Sequence, residues 1–402
     1  MRTYEKTHPW ITFTLDLMKA PASLWVKLGE CQSKCEHIAG VPLQPEKVKQ
    51  LQQIYLAKGA LATTAIEGNT LTEEEVKKHL EGKLKLPPSR EYLEIEVQNV
   101  IDGCNLILDD IRKNILPEIR IERIKELNKI VLKDLALEEG VVPGEIRNYS
   151  VGVWNYRGAP AEDCEYLLDR LCKWLNSEEF TPPQGLNIVY AILKAIIAHI
   201  YLALIHPFGD GNGRTARFIE FQILIGSGVP APAAHLLSNH YNQTRTEYYR
   251  QLDRISKTKG EVLPFINYAV QGFLDGLAEQ LSFIEMQQWE LAWRDYINEK
   301  FNVFSFLLRK KTTESDLRRK QLVIDLSMQK DPVPLHKLSE INPQLMKAYM
   351  SKTPKTLSRD INALIDMGLV RREGEGYVAC KEKILAFLPV KADSKNPGEC
   401  KT

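Results

Sequence analysis

Most of the chain places its apolar residues at a helical period. From Pro45 to Glu67 they fall at Val48, Leu51 and Tyr55 and, on the adjoining ridge, at Ile54, Leu61 and Ala65, with Pro45 near the start as a helix tolerates it. Gly68-Asn69 stops that run. Thr72 and Glu75 then have the spacing of a capping box for a helix through Val76 and Leu80. Lys85–Ser89 is a proline-bearing loop at a domain edge, and further helices are predicted near Glu91–Arg112, Arg120–Leu135 and Glu162–Ser177. Leu186–Ile205 is a 20-residue apolar stretch, long enough to span a bilayer. Lys194 and His199 interrupt it and a polar loop follows at once, so it reads as a helix buried all round in a core, not as a membrane span.

The only strand signal of the first 300 residues lies at Gly144–Pro160, a short alternation with a glycine turn. It reads as a hairpin flap whose edge can hold an extended peptide, with an irregular loop as the alternative. Helices are predicted again at Arg214–Leu224, Tyr241–Ser256 and from Leu263 to about Lys311. Residues of about 315–388 read as a winged helix. Thr353-Pro354 opens a helix, Leu357, Ile361, Leu364 and Ile365 form its buried face, Gly368 ends it, and Leu369–Val378 forms a two-strand wing. Lys355, Ser358, Arg359 and Asn362 lie opposite, as a groove-reading face would. Asp360, Asp366, Glu373 and Glu375 dilute the positive field there, so DNA and protein docking both stay open. The expected division is 1–89 helical, 90–285 core, 286–314 linker, 315–388 winged helix and 389–402 disordered tail.

Chemistry concentrates between His206 and Arg217. Within 12 residues this run holds a histidine, the carboxylate Asp210, glycines at 209, 211 and 213, the amide Asn212 and the arginines Arg214 and Arg217. Glycines let the backbone turn tightly and approach a ligand, and amides leading into a helix cradle an anion. Arginines three apart share a helix face and can grip phosphate oxygens together. No Lys-Ser/Thr follows the glycines, which excludes a P-loop, and a helix precedes them, which excludes a dinucleotide-binding turn. A magnesium-bound polyphosphate beside a histidine fits these residues.

The same residues resemble the Fic family, whose signature H-x-F-x-D/E-G-N-G-R-x-x-R is matched by His206, Phe208, Asp210, Gly211, Asn212, Gly213, Arg214 and Arg217. The related Doc-type kinases carry a lysine where this chain has Gly213. The resemblance implies a mainly α fold, a Fic-type helical bundle with a small β-hairpin flap. It implies AMP transfer from ATP, with Mg²⁺, to a Ser, Thr or Tyr hydroxyl of a target protein, or of the chain itself. By the same resemblance His206 is the base, Asp210 the metal ligand, and Gly211, Asn212 and Gly213 hold the α-phosphate. Arg214 takes the β-phosphate and Arg217 the γ-phosphate. Phe208 anchors the loop, Arg147 occupies the flap's G-x-x-R position, and Tyr249 lines the adenine pocket. Ser256 stands where many relatives have an asparagine. Thr63–Gly68 matches the family's inhibitory pattern S/T-x-x-x-E-G/N, making Glu67 an inhibitor that pairs with Arg217, with Thr63 bracing its turn. Family members often dimerise, and some also remove AMP. A DNA-binding regulator with a nucleotide-sensing Fic part, and transfer of UMP or phosphocholine, are the competing readings.

Composition narrows the setting. The chain has 402 residues, enough for two or three domains, and 53 basic against 52 acidic residues, so no global field steers it to nucleic acid or membrane. Seven cysteines without C-x-x-C pairs fit a reducing cytoplasm and no zinc site, with Cys31 and Cys35 at most sharing a helix face. The first residues lack the apolar run of a signal peptide.

Overall fold

The computed structural model describes residues 2–43, 45–153, 156–307 and 313–384. The chain divides into two compact units, Met1–Phe283 and Ile284–Thr402. The first carries α1 (Thr3–Thr7), α2 (Ala22–Gly40), α3 (Pro45–Ala65), α4 (Glu73–Leu80), α5 (Glu91–Arg112) and α6 (Ile121–Val131). A hairpin of β1 (Gly152–Val153) and β2 (Tyr156–Arg157) follows, then α7 (Ala161–Leu175), α8 (Asn187–Ile205), α9 (Asn212–Gly226), α10 (Leu236–Gln243) and α11 (Arg245–Lys257). The unit boundary falls inside α12 (Leu263–Leu307).

The apolar stretch is the centre of the first unit. Helix α8 packs against α2, α7 and α9, and 89% of its most apolar window is buried, although its length and composition alone would suit a membrane. Helix α9 in turn meets α5 and α6, so the loop between α8 and α9 is held from several sides. Helix α3 forms where expected, but its buried face differs from the predicted one. Val48 is exposed, Leu51 is buried as predicted, and the remaining burial falls on small residues, Ala57, Gly59, Ala60, Ala62, Thr63 and Thr64. Small side chains let α3 lie close against α10.

Other boundaries moved for local reasons. The predicted Tyr241–Ser256 helix is two, α10 and α11, broken at Thr244, whose hydroxyl donates to the His240 carbonyl. The helix expected over Arg120–Leu135 ends at Val131. The capping box of Thr72 and Glu75 forms as predicted. At the hairpin, the predicted alternation pairs Gly152 with Arg157 and Val153 with Tyr156.

In the second unit, α13 (Glu314–Ser327), β3 (Val333–Pro334), α14 (Pro343–Met350), α15 (Pro354–Asp366), β4 (Val370–Glu373) and β5 (Gly376–Ala379) follow one another. The antiparallel sheet has the order β3-β5-β4. Leu322, Leu338, Ile361, Leu364 and Leu369 share a core with Trp293, Ile297 and Phe301 of α12. Three sequence expectations are corrected here. Ile365 is 37% exposed, off the buried face. Asp360 is buried and accepts hydrogen bonds from Arg318, Arg319 and Tyr349, so it does not weaken the field of the outer face. The Thr353 side chain makes no capping bond, although α15 starts where expected. The tail at 389–402 and the end of the helix predicted to reach Lys311 lie outside the described residues.

Candidate functional site

The loop is built by a chain reversal between two buried helices. Helix α8 closes at His206, whose φ of 50° and ψ of 60° are left-handed, an uncommon conformation for a residue with a Cβ. Phe208 is buried and anchors the loop in the core. Its backbone N–H donates to Asn212 Oδ1 at 2.9 Å, and Asn212 Nδ2 donates back to its carbonyl at 2.9 Å. The Asn212 side chain thus closes the loop on itself and leaves its backbone N–H in the first turn of α9. That helix starts two residues earlier than predicted, with Gly211 as its N-cap at φ 76°. The amides of 212 and 213 therefore join the free donors of a helix N-terminus, the anion cradle that the glycines suggested.

Two residues fix the loop from outside. Asn128 of α6 is fully buried; its Nδ2 donates to the Asp210 carbonyl at 3.0 Å, and its Oδ1 accepts from the Gly144 N–H at 2.9 Å. Arg147 donates through Nε to the His206 carbonyl at 2.8 Å and through its other nitrogens to the carbonyls of Tyr149 and Ala159. One guanidinium thus ties the root of the hairpin to the residue that reverses the chain.

His206 is held neutral. Burial and the Arg147 cation push its imidazole down to about 4, against upward pulls from Glu67, the Ala203 carbonyl and Asp210. At neutral pH it is an unprotonated base. Asp210, half exposed at 49%, faces solvent on the same loop, 3.2 Å from Arg214. Among the described residues no cluster of His, Cys, Asp or Glu would hold a metal by itself. A single exposed carboxylate fits Mg²⁺, which binds through one or two carboxylates and shares its remaining positions with phosphate oxygens and water.

The two arginines are buried and internally paired. Arg214 donates to Glu96 at 3.1 Å, and Arg217 donates through Nη2 to the Thr63 carbonyl at 2.9 Å and to Glu67 at 2.6 Å. Nε of Arg214 and both Nε and Nη1 of Arg217 are buried with no hydrogen-bond partner among the described residues. Such orphaned donors are costly, and phosphate oxygens would satisfy them.

Glu67 arrives from α3 on a helix-ending turn. The Asn69 N–H donates to the Thr64 carbonyl at 3.1 Å and the Gly68 N–H to Ala65 at 3.1 Å, a Schellman motif with Gly68 at φ 106°. The Glu67 carboxylate lies over the first turn of α9, where a Cβ built on Gly213 would fall 2.1 Å from its Oε1. Burial opposes its ionisation; the Arg217 cation, helped by Arg214 and His206, outweighs that and lowers its pKa. Thr63 contributes its carbonyl rather than the bracing hydroxyl expected. Tyr249, half-buried, approaches the same turn with its hydroxyl 3.5 Å from the Ile66 carbonyl. Ser256 bonds back to Asp253 within its own helix.

The site therefore gathers His206, Asp210, Gly211–Gly213, Arg214, Arg217, Glu67, the Thr63 carbonyl and Tyr249. Sequence reasoning missed Glu96, Asn69 and Asn128. For Asn128 the one signal was a polar side chain beside Ile124, Leu127 and Val131 on the buried face of α6; Asn69 read only as part of a helix stop.

Residues 118–224 match the family model described as the Fic/DOC family. The chain is 31% identical over 208 residues to protein adenylyltransferase Fic of Drosophila ananassae, covering 51% of this chain and 38% of that protein. To protein adenylyltransferase fic-1 of Caenorhabditis elegans it is 32% identical over 213 residues, covering 52% and 38%. The chain thus spans about 38% of the length of these curated relatives. Among solved structures, a Fic family protein from Desulfovibrio desulfuricans G20 superposes with a TM-score of 0.54 at 19% identity, over 91% of this chain and 97% of that one. Fic-1 of C. elegans superposes with a TM-score of 0.55 at 25% identity, over 66% and 74%.

Proposed function

We propose that this chain is a protein adenylyltransferase that moves AMP from ATP to a serine, threonine or tyrosine hydroxyl of a target protein and restrains itself through Glu67. The observation that carries the proposal is a neutral, half-buried His206 with an enclosed Nδ1, beside the first-turn amides of α9, on which Arg214 and Arg217 keep donors without a partner among the described residues. The relatives named as protein adenylyltransferases support it.

The target hydroxyl loses its proton to His206 as its oxygen attacks the α-phosphorus in line. The bond from that phosphorus to the oxygen bridging to the β-phosphate breaks, and pyrophosphate leaves. Amides of Asn212 and Gly213 hold the α-phosphate, the Gly211 N–H being taken by Asp210 Oδ1; Arg214 holds the β-phosphate and Arg217 the γ-phosphate, while Tyr249 lies against adenine. Asp210 holds Mg²⁺, which when bound offsets the charge gathering on the phosphates. The β1–β2 hairpin offers the target main-chain hydrogen bonds.

Inhibition stems from the position of Glu67. While it pairs with Arg217 and covers Gly213, the γ-phosphate loses its arginine and the α-phosphorus sits out of line. A misplacement of about 1 Å costs ~10²-fold in rate. The same carboxylate, beside the phosphate cradle, can orient a water for removal of AMP.

The second unit is proposed to be a winged helix, from its helix–strand–helix–helix–strand–strand order and its three-stranded antiparallel sheet. Exposed Lys355, Arg359 and Asn362 on α15 are answered by exposed Glu373 and Glu375, and Arg371 is paired with Glu373 and Glu382. Docking of a protein fits this mixed surface better than DNA, and salt-dependent retention on DNA would reverse that preference.

The test is incubation of purified full chain with α-labelled ATP and Mg²⁺, scoring label on itself, for wild type, Glu67→Gly and Glu67→Gly with His206→Ala. Label should rise about 10²-fold in the first variant. It should fall by ~10²–10⁴-fold when His206 is also removed. A folded Glu67→Gly protein without label, or undiminished label in the double variant, overturns the reading. Mass spectrometry of the product separates AMP from UMP and phosphocholine.

A further inference from the structure

We infer that Asn69 and Glu96 form a second anchor of the Glu67 turn, positioning that carboxylate by tying its backbone to Arg214. This rests on the reading of Glu67 as inhibitory.

Glu67 is poorly placed to hold itself. It caps the C-terminal end of α3, where the helix dipole disfavours a carboxylate, and 32% of its side chain is exposed. One ion pair must keep it over Gly213, and the last turn of a helix frays readily. Something else must therefore fix the backbone of the turn.

Asn69, two residues on, is 6% exposed and uses its whole amide. Nδ2 donates to the Leu93 carbonyl of α5 at 2.9 Å and to Glu96 Oε2 at 2.8 Å, while Oδ1 accepts from the Leu71 N–H at 3.0 Å. Its backbone N–H supplies the closing bond of the Schellman turn, to Thr64. No other side chain offers two donors and an acceptor on so short a stem, which is why an amide suits this position.

Glu96 continues the chain. Its Oε2 takes Asn69, and its Oε1 takes Nη1 of Arg214 at 3.1 Å. Both arginines proposed to bind ATP phosphates are thus tied to one turn: Arg217 pairs with Glu67 itself, and Arg214, which also meets Asp210, pairs with Glu96, which Asn69 joins to the turn. The turn is held at both ends of the arginine pair.

The experiment is label transfer from α-labelled ATP at matched concentration by full-length wild type, Asn69→Ala, Glu67→Gly and the double variant. Asn69→Ala keeps every residue assigned to ATP and every residue of the Glu67–Arg217 pair. It should raise transfer about 10-fold, short of the ~10²-fold of Glu67→Gly. The double variant should match Glu67→Gly within about twofold, because both changes release one restraint. Wild-type transfer by Asn69→Ala alongside an active Glu67→Gly overturns the anchor, as does a gain that multiplies with Glu67→Gly. A silent Glu67→Gly overturns the inhibitory reading itself, and the anchor with it.

Glu96→Gln covers the case in which Asn69→Ala does not fold. It replaces one oxygen by an amide that faces a donor, either Asn69 or Arg214, so the chain is cut while Asn69 keeps Leu93 and Leu71. Activation in the wild-type background without further gain in Glu67→Gly supports the anchor. An unchanged wild-type rate removes Glu96 from it.

Discussion

Adding one methyl at Gly213 gives the most direct reading of where Glu67 sits. Gly213 lies in the first turn of α9 without a positive φ, so alanine suits its backbone. By propensity alone, alanine in place of a helical glycine gains about 0.5–1 kcal/mol. The new Cβ would stand 2.1 Å from Glu67 Oε1, against an ordinary non-bonded separation of about 3.5 Å. The carboxylate must retreat by about 1 Å or more, and its 2.6 Å bond to Arg217 is lost. Exposed ion pairs contribute about 0–1 kcal/mol, and breaking a buried one costs about 3–5. Here Arg217 is 1% exposed and Glu67 32%, which places the loss near 1–2 kcal/mol.

The substitution should therefore change sign with its background. In wild type, Gly213→Ala is neutral to destabilising by about 1 kcal/mol; in Glu67→Gly, where the 3.1 Å approach to Arg217 Nη1 remains and that side chain is free to shift, it stabilises by about 0.5 kcal/mol. Thermal unfolding of the four proteins followed by circular dichroism reads this, at about 2–4 °C per kcal/mol for a unit of this size. The comparison depends on stability alone, so any obstruction of nucleotide by the methyl does not affect it. Equal shifts in both backgrounds would refute the placement of Glu67 over Gly213.

Three further outcomes are expected. With its pKa pushed down to about 4, His206 stays neutral from pH 8 down to about pH 5.5, and removing Glu67, which pulls it upward, keeps it so. Transfer by Glu67→Gly should show no acid limb near pH 6.5, and an inflection there would mean an ordinary histidine. Asp210→Asn in the same background should abolish the response of the rate to added Mg²⁺, and a full response would clear Asp210 of metal binding. Asp360→Ala removes the shared acceptor of Arg318, Arg319 and Tyr349 and should destabilise the second unit by about 3 kcal/mol in urea. Label transfer by Glu67→Gly should survive that change, because every residue proposed for catalysis lies before it; loss of transfer with the first unit still folded would contradict the division of roles.

The sequence alone determined what depends on neighbours in the chain. Capping at Thr72, the glycine stop after Glu67 and the loop from His206 to Arg217 are set by residues a few positions apart, where backbone geometry links spacing to shape. The candidate site was legible for the same reason: its histidine, its carboxylate and its arginines lie close together in the chain. Its anion cradle is dictated by where a helix begins.

What only the tertiary structure decided is which distant groups meet. Glu67 and Arg217 are 150 positions apart, and a short inhibitory pattern names the glutamate without showing that it reaches over Gly213. Glu96 and Asn128 are polar residues beside apolar ones on α5 and α6, and nothing in either helix says that one meets Arg214 and Asn69 while the other braces Asp210. Asp360 reads as an outer-face charge until packing encloses it between two arginines and a tyrosine. Of the α3 face, Leu51 was read correctly and Val48 was not, and along the second half of the helix close approach to α10 selects small side chains over the larger apolar ones that periodicity favours. A periodic pattern records how much apolar surface a helix offers. Which side chains share a buried space, and so which charges must pair, is fixed only when the helices are packed together.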